Sequence, residues 1–308
     1  MLAPIVLFVY NRLWHTKQTV DSLRVNELAN KSELIVVSDG AKNKNEEINV
    51  EAVRNYIKSI SGFKSVQIIK RIKNYGLAQN IITGVTEVVD EYGKVIVLED
   101  DLVTSRYFLS YMNDALNVYE KSEGVISIHG YMYPVKKRLT ETFFIKGADC
   151  WGWATWKRGW DLFNRDGTAL LNQIKVQKKE SVFDFEKSYP YMKMLQDQTE
   201  GKNNSWAVRW YASAFLSDKL TLYPRQTLVK NIGFDGSGTH CGCSESMNDS
   251  LIETNVKVEK ITIRENIECR KIIAAYFRSL KRPLGKRVLN KVNKSIKRIV
   301  NRLKKGLK

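Results

Sequence analysis

The sequence predicts an α/β fold with a mainly parallel β-sheet covered by helices on both faces. Three observations lead to this prediction. Short apolar runs alternate with amphipathic segments through the first 130 residues, the runs are rich in β-branched residues, and polar residues follow each run abruptly. Such alternation is typical of βαβ units, whose strands lie parallel because each helix crosses back over the sheet.

The first half of the chain contains five predicted strands, with a helix between each strand and the next. The strands are predicted from short runs of mainly apolar residues, and the helices from apolar residues spaced by three or four positions. The strands cover 5–10, 34–38, 66–70, 95–98 and 125–129, and the helices cover about 16–28, 50–60, 77–88 and 105–116. Because the ends of parallel strands meet at one edge of a sheet, we expect the polar residues after them to gather there.

Three consecutive carboxylates follow the fourth predicted strand. Residues 94–102 read KVIVLEDDL, so Glu99, Asp100 and Asp101 follow the apolar run directly. Adjacent acids repel one another, and a divalent cation bound among them would offset that repulsion. The alternative is a polar turn in which the acids cap the next helix. The pattern therefore predicts either a metal site or a helix cap at this strand end.

Polar residues also follow the other strands of the predicted sheet. Asn11 and Arg12 follow the first strand, Asp39 the second and Asn74 the third. Together with the acids, they would place basic groups, amides and carboxylates at one edge, a set that suits a nucleotide and its metal ion. The chain has neither a Walker loop nor a G-x-G-x-x-G fingerprint, which argues against P-loop NTPases and dinucleotide-dependent oxidoreductases.

The second half of the chain is rich in aromatic residues. Four of the seven tryptophans lie within residues 147–160. They can form a hydrophobic cluster in the core, or a platform that stacks on sugar rings. In the second case, Trp151, Trp153 and Trp206 would bind an acceptor. The other elements predicted in this half are one helix and two closing strands, over 205–216, 220–224 and 227–232.

A glycine-rich segment follows the last predicted strand. Residues 233–242 contain four glycines and present His240, a composition typical of loops that close over ligands. His240, Cys241 and Cys243 also suggest zinc ligands, but they lack the spaced second pair that such sites have. We therefore interpret the segment as a loop that covers the ligand.

The net charge of +17 is unevenly distributed along the chain. Residues 270–308 contain 15 Lys and Arg and no acid, whereas residues 1–269 contain 35 basic and 33 acidic side chains. The domain is thus nearly neutral, so no nucleic-acid partner is expected. Four cysteines in 308 residues make no disulfide framework and favour a reducing compartment. We expect neither a signal peptide nor a membrane span, because the apolar runs are too short.

The basic segment has the pattern of an amphipathic helix. Beyond residue 287, apolar residues recur every three or four positions with Lys and Arg between them. Such helices lie in the headgroup region of anionic membranes, where each basic residue contributes about 1 kcal/mol. The alternatives are a solvated tail, a partner-binding helix and an RNA contact, and the scarcity of aromatics argues against RNA. We predict peripheral membrane association through residues 270–308.

The order of these motifs resembles that of nucleotide-diphospho-sugar transferases with the GT-A fold. The likeness rests on a first strand ending in Asn-Arg, on VSDG, on the EDD triplet, and on the segments WGWATW, SWAVRW and NIGFDGSGTH. The pattern is similar to that of bacterial family 2-like enzymes of surface polysaccharide assembly and, more distantly, to N-acetylglucosaminyltransferase I. The resemblance extends over about residues 4–243.

The resemblance implies a donor site formed by Asn11, Arg12, Asp39, Asn74, Glu99, Asp100 and Asp101. Arg12 would lie near the diphosphate and Asp39 near the base of the nucleotide. Glu99 and Asp100 would contact the ribose and nucleoside side, and Asp101 would bind Mn²⁺ or Mg²⁺ between the phosphates. His240 would add a metal or phosphate contact.

The resemblance does not supply a catalytic base. In the more distant relative an acidic pair beside a tryptophan has this role, whereas Ala207 and Val208 follow Trp206 here. The substitutes are three other carboxylates, Asp197, Glu200 and Asp149. An inverting enzyme needs such a group beside the acceptor hydroxyl, and the resemblance favours inversion.

Together these observations predict a GT-A domain over residues 1–269, with a nucleotide-sugar-binding half to about residue 130 and an acceptor half after it. The predicted activity is metal-dependent transfer of a sugar from a nucleoside diphosphate to a glycan or lipid-linked acceptor. We expect it in the cytoplasm, on the inner face of the plasma membrane. The alternatives are a sugar nucleotidyltransferase and a non-catalytic membrane- or nucleic-acid-binding protein. The former should carry a glycine-rich phosphate loop after the first strand, and that loop is missing.

Overall fold

The fold alternates strands and helices in its first half and is less regular in its second. It is seen in a computed structural model that describes residues 1–236, 247 and 250–280. The strands are β1 (Ile5–Val9), β2 (Glu33–Ser38), β3 (Ser65–Lys70), β4 (Lys94–Glu99), β5 (Leu102–Thr104), β6 (Val125–His129), β7 (Thr142–Ile145), β8 (Trp153–Trp156), β9 (Leu220–Pro224) and β10 (Val229–Asn231).

The helices cover both faces of the sheet that these strands form. They are α1 (Leu13–Arg24), α2 (Lys44–Ile57), α3 (Leu77–Tyr92), α4 (Phe108–Val118), α5 (Lys157–Trp160), α6 (Gly167–Val176), α7 (Glu180–Phe183), α8 (Tyr191–Thr199), α9 (Trp206–Leu216) and α10 (Ile267–Leu280). The prediction of a βαβ first half is therefore confirmed.

Eight strands form one sheet in the order β3-β2-β1-β4-β8-β6-β9-β7. The pairs β1–β2, β1–β4, β2–β3 and β6–β9 are parallel. β8 runs antiparallel between β4 and β6, and β7 is antiparallel to β9. Since β4, β6 and β9 point the same way, the loops after all three open at one edge of the sheet. The remaining two strands, β5 and β10, form a separate antiparallel ribbon.

The inner strands β1, β2 and β4 are mainly buried, whereas β3 lies at the edge of the sheet and is only partly buried. All five residues of β1 are buried, and α3 buries Ile81, Val85 and Val88 against the sheet. Gly84 allows the closest approach, since a Cβ there would lie 2.7 Å from a ring carbon of Phe8. A larger residue at this position would push α3 off the sheet, because packed interiors leave no room for an added methyl group.

The tryptophan-rich segment contributes a central strand, which the sequence did not predict. In β8 both faces are buried, so no polar alternation marks the strand in the sequence. Trp153 is 1% exposed and packs against Trp160, Trp206 and Trp210. Trp206 is 3% exposed. Because other side chains of the protein cover these rings, Trp153 and Trp206 cannot stack on an acceptor as predicted. Both residues belong to the hydrophobic core.

Helix α10 crosses residue 270, the predicted boundary between the domain and the tail. Helix α10 includes residues 270–280, and it buries Arg270, Ile273 and Phe277. These residues belong to the packed domain, because an amphipathic helix can bury its apolar face on a protein core as well as in a membrane. Residues 281–308 lie outside the described residues. In the part of the chain that is described, no helix combines the length and apolarity needed to cross a membrane.

Candidate active site

The carboxyl ends of β1, β2 and β4 bring the predicted donor residues to one edge of the sheet. Phe8 of β1 lies opposite Glu99 of β4, and Val9 lies opposite Ser38 of β2. The residues that follow these pairs are therefore neighbours. This edge is where parallel α/β sheets bind ligands.

Arg12 bridges two of the three consecutive acids. One terminal nitrogen, Nη2, is paired with Asp100 Oδ1 and lies 2.8 Å from Asp101 Oδ2. Asp100 is 4% exposed and Asp101 8% exposed, so this contact is shielded from water. Burial lowers the pKa of the guanidinium, but the charges of Asp100 and Asp101 outweigh it and raise that pKa. We call Arg12, Glu99, Asp100 and Asp101 the acid cluster.

The acid cluster has more negative charge than its single guanidinium offsets. Burial and the charges of Asp101 and Asp100 raise the pKa of Glu99. Burial also raises the pKa of Asp100, although Arg12 opposes the shift. Both shifts have the sign expected when carboxylates share a poorly solvated site. A further cation would therefore stabilise the ionised cluster.

Two buried atoms of the acid cluster have no hydrogen-bond partner among the described residues. They are Arg12 Nη1, a donor, and Asp100 Oδ2, an acceptor. Buried polar groups are nearly always paired, and an exception often marks a place where a ligand or ion binds. An unpaired donor and an unpaired acceptor on two contacting side chains fit a phosphate oxygen and a cation, respectively.

The acid cluster does not by itself supply a full set of metal ligands. Within the described ranges, no three His, Cys, Asp or Glu side chains are arranged as metal ligands. Mg²⁺ commonly binds through one or two carboxylates and takes its other ligands from phosphates and water. The residues present, Asp101 and the open oxygen of Asp100, fit that kind of site. His240 lies outside the described residues.

Asp39 organises the loop after β3. Its Oδ1 accepts from the backbone N–H groups of Gly40 and Tyr75, and its Oδ2 accepts from Gly76 N–H and from Asn74 Nδ2. Gly40 is required at this contact because a Cβ there would overlap the backbone of the loop, 2.5 Å from the carbonyl carbon of Lys73. Asp39 and Asn74 are thus together, as predicted, and their polar groups mainly hold each other.

Asn11 points away from the acid cluster. Its Nδ2 lies 3.4 Å from Glu46 Oε2, and the hydroxyl of Tyr10 donates to the same oxygen. Burial and the hydrogen bond to Glu46 raise the pKa of Tyr10 to about 12. This set joins β1 to α2 beside the site.

The segment after β10 packs against the acid cluster. Ile232 N–H donates to Asp101 O at 2.8 Å, and a Cβ on Gly233 would overlap Asp101 Oδ2. Asp235 Oδ2 lies 3.1 Å from His15 Nε2 on α1. His15 therefore joins α1 to this segment.

Another carboxylate, that of Asp149, accepts hydrogen bonds from two tyrosines. Its Oδ1 accepts from Tyr133 OH at 2.8 Å, and its Oδ2 accepts from Tyr223 OH at 2.5 Å. The side chain is 25% exposed. Each oxygen has two lone pairs, so one on each remains open for another donor. We call Asp149, Tyr133, Tyr223 and the neighbouring His129 the Asp149 site.

His129 is buried next to Asp149 and Tyr223. It is fully buried, and its Nδ1 lies 3.8 Å from Asp149 Oδ2, too far for a hydrogen bond. Its ring packs edge-on against Tyr223, with centroids 4.9 Å apart. Burial lowers the pKa of His129 to about 4, against the opposing charge of Asp149. The imidazole is therefore neutral near pH 7.

Asp197 and Glu200, the other two candidate bases, lie at the end of α8 and are paired with lysines. Asp197 contacts Lys193 and lies 3.7 Å from Lys202, which also contacts Glu200. Among the described residues, no hydrogen bond or ion pair connects either acid to the acid cluster or to Asp149.

Aromatic contacts connect Asp149 to the acid cluster. Trp151, two residues after Asp149, packs edge-on against Phe234 at 5.5 Å, and Phe234 follows the Gly233 that touches Asp101. Trp151 is also the one predicted stacking residue that keeps an exposed surface. Sequence reasoning missed Tyr133 and Tyr223. They come from separate segments and carry no motif, so no sequence signal connects them with Asp149.

The comparisons with solved structures give weak similarities. TarS from S. aureus is 16% identical, with 50% of this chain and 28% of that chain covered and a TM-score of 0.34. Its fragment 1-349 is 16% identical, with 57% and 50% covered and a TM-score of 0.35. The mannosyltransferase PcManGT from Pyrobaculum calidifontis, in complex with GDP-Man and Mn2+, is 12% identical, with 70% of both chains covered and a TM-score of 0.40. The aligned part of this chain thus spans less than a third of full TarS.

The family assignment rests on the sequence rather than on these structures. No curated protein matches the chain at a significant level. Residues 5–167, more than half of the chain, match the sequence model described as Glycosyl transferase family 2. The matched range includes β1 to β4, the acid cluster and Asp149. The chain therefore belongs to glycosyl transferase family 2 and is a glycosyltransferase with the GT-A fold.

Proposed function

We propose that this glycosyltransferase uses a divalent cation to transfer a sugar, with inversion, from a nucleoside diphosphate to a hydroxyl of a cell-surface glycan or its lipid-linked precursor. One observation carries the proposal. Arg12 Nη1 and Asp100 Oδ2 are buried and without partners among the described residues, while the other ends of the same two groups are paired. A diphosphate and its cation would satisfy both.

The acid cluster would hold the donor's diphosphate. Arg12 would donate from Nη1 to a phosphate oxygen while its Nη2 stays on Asp100 and Asp101. Asp101 and the open Asp100 oxygen would hold Mn²⁺ or Mg²⁺. When bound, such a cation neutralises charge that develops on the departing diphosphate. Glu99 would face the nucleoside.

Asp149 would act as the catalytic base. In a single displacement, the acceptor oxygen forms a bond to the anomeric carbon, the bond from that carbon to the diphosphate breaks, and the hydroxyl proton passes to Asp149. Two tyrosine hydroxyls fix the orientation of the carboxylate, and its exposed edge leaves room for the acceptor. General bases need such positioning within hydrogen-bond reach of the proton that they remove. The lysine pairs of Asp197 and Glu200 make them weaker candidates.

We further propose that the catalytic domain extends to about residue 280 and that residues 281–308 bind the inner face of the plasma membrane. The support is the sequence pattern, in which Lys and Arg fill the polar face of an amphipathic repeat. Binding to phosphatidylglycerol vesicles should weaken at high salt, because screening reduces the attraction between lipid and basic residues. Salt-independent binding would contradict an electrostatic anchor.

A panel of nucleotide sugars tests the enzymatic proposal. We expect slow hydrolysis of one donor that needs Mn²⁺ or Mg²⁺ and stops in EDTA. Asp101→Asn should lower this hydrolysis on the order of 10³-fold, because it weakens charge stabilisation at the leaving group. Asp114→Asn, which changes an exposed acid on α4, is the matched control. Equal turnover in wild type and Asp101→Asn would remove the metal role of Asp101.

A further inference from the structure

A polar cleft opens beside the Asp149 site. It lies between the loop after β6 and the loop after β9, two strands whose carboxyl ends share an edge with β4. The cleft encloses about 300 Å³, and its lining includes Tyr133, Lys136, Lys137, Arg138, Arg225 and Gln226. A concave site of this volume is at the lower end of the range for small-molecule sites.

Three consecutive cations give the cleft its charge. Lys136, Lys137 and Arg138 are exposed, and none forms an ion pair within the described residues. Arg225 is already paired with Glu141, at 3.0 Å, and this pair joins the loop after β9 to the start of β7. Isolated exposed cations are ordinary on protein surfaces. Here they are adjacent and line a concavity, so their mutual repulsion would be relieved by an anion.

Tyr133 connects the cleft to the carboxylate that we propose as the base. Tyr133 is one of the residues that line the cleft, and its hydroxyl donates to Asp149 Oδ1 at 2.8 Å. Phe277 of α10 packs edge-on against the ring of Tyr133, with centroids 4.8 Å apart, and keeps it in place. The cleft and the proposed base are therefore linked through one shared residue, Tyr133.

We infer that the cleft binds a phosphate group of the acceptor, so that the acceptor hydroxyl lies at Asp149. This inference rests on the proposed function. Two ammonium groups and a planar guanidinium supply several hydrogen-bond donors for the oxygens of a phosphate group, and a guanidinium can bind such a group through two parallel hydrogen bonds. The phosphate belongs either to the pyrophosphate of a lipid carrier or to a phosphodiester in the glycan. Both share the chemistry that the cleft recognises.

Binding of two soluble probes tests the inference without knowledge of the acceptor. Inorganic pyrophosphate and dimethyl phosphate are titrated into the full chain with saturating nucleoside diphosphate, which occupies the donor site, and with Mg²⁺ in excess over all phosphates. The combined variant Lys136→Ser, Lys137→Ser, Arg138→Ser should bind at least tenfold more weakly than wild type. The variant Lys31→Ser, Lys58→Ser, Lys121→Ser removes the same charge from exposed positions at the opposite edge and should bind like wild type.

Each outcome decides the inference. Stronger binding of pyrophosphate supports a lipid-pyrophosphate acceptor, and equal or stronger binding of dimethyl phosphate supports a phosphodiester. Unchanged probe affinity in the cleft variant overturns the inference. So does a cleft variant that loses only its binding to phosphatidylglycerol vesicles, since that would make the cleft a membrane contact. Donor hydrolysis should stay within about twofold of wild type in the control variant with Lys31, Lys58 and Lys121 changed. If instead no form of the protein hydrolyses any nucleotide sugar, the proposed function fails while the binding result still judges the cleft.

Discussion

The acid cluster and the Asp149 site both hold carboxylates at the same edge of the sheet, but they stabilise them differently. In the acid cluster one guanidinium serves two buried acids, and a donor and an acceptor remain open. At the Asp149 site neutral hydroxyls hold a single half-buried acid. The first arrangement is incomplete without another charge. The second has one carboxylate that is fixed in orientation and still able to accept a proton, as a general base must be.

Asp149→Asn should separate the two regions most strongly. The amide keeps the shape of the side chain but cannot take the acceptor's proton, so sugar transfer should fall by about 10²- to 10⁴-fold. Metal and nucleotide binding should be unchanged, because the acid cluster is intact. Initial rates of transfer and nucleotide titrations measure the two effects.

Asp197→Asn is the matched control for that change. Asp197 is paired with Lys193 and Lys202 at the end of α8, so transfer should remain within about twofold of wild type. If Asp197→Asn abolishes transfer while Asp149→Asn does not, the base has been assigned to the wrong carboxylate.

Arg12→Gln should reveal how far the acid cluster depends on charge. Removing the guanidinium leaves Asp100 and Asp101 as unpaired buried acids, which should lower the free energy of unfolding by about 3–5 kcal/mol in EDTA. Mn²⁺ should restore more stability to this variant than to wild type, since the cation replaces a lost positive charge. Urea unfolding with and without Mn²⁺ measures both quantities.

The opposite result at Arg12 would be equally informative. An Arg12→Gln chain as stable as wild type in EDTA would mean that protonation of Asp100, whose pKa is already raised by burial, replaces the ion pair at no cost. Arg24→Gln is a suitable control, because its contact with Asp21 is solvent-exposed and should contribute less than about 1 kcal/mol.

Two truncations test how α10 supports the Asp149 site. Arg270 is buried, with Nε 3.1 Å from Glu186 Oε1 and Nη1 3.1 Å from Glu265 Oε1. A chain ending at residue 269 loses this network and the packing of Phe277 on Tyr133, so it should be less stable by at least about 3 kcal/mol.

A chain ending at residue 280 is the control for that truncation. It keeps α10 and should unfold like the full chain, while its affinity for anionic vesicles should fall. Thermal unfolding and vesicle sedimentation of the three lengths measure these effects. Equal stability of the chains ending at 269 and 280 would show that α10 adds nothing to the domain.

The contrast between the two regions also explains what could be predicted from sequence. The acid cluster follows directly from strand ends, since an apolar run followed by EDD predicts both the strand and its charged edge. Arg12, Asp39 and Asn74 were placed by the same rule. Asp149 was identified only as one of three acids, because its partners Tyr133 and Tyr223 are 16 and 74 residues away. Contacts between distant segments of this kind depend on packing, which has no local pattern.

The tryptophans also show that packing cannot be predicted from a local sequence pattern. Aromatic rings predict a stacking surface and a hydrophobic core equally well, and only burial distinguishes them. The uneven distribution of charge predicts that the tail begins at residue 270. Charge alone does not show whether the apolar face of a helix packs against the protein core. Arg270 begins the basic segment and is itself buried, so composition and packing disagree at that residue.

The buried imidazole of His129 should make the Asp149 site sensitive to acid. Its pKa is lowered to about 4 by burial, whereas an unfolded histidine has a pKa of about 6.5. Between these values the unfolded chain binds the extra proton, so stability is present above pH 6.5 and is lost as the pH falls toward 4. The loss should reach up to about 3 kcal/mol.

In His129→Leu this part of the pH dependence should disappear, and urea unfolding at pH 4.5, 5.5 and 7 measures it. His15→Leu is the control on the other side of the site, and it should keep the slope that His129 causes. An unchanged slope in His129→Leu would assign the acid sensitivity to other groups and would leave His129 as a packing residue beneath Asp149.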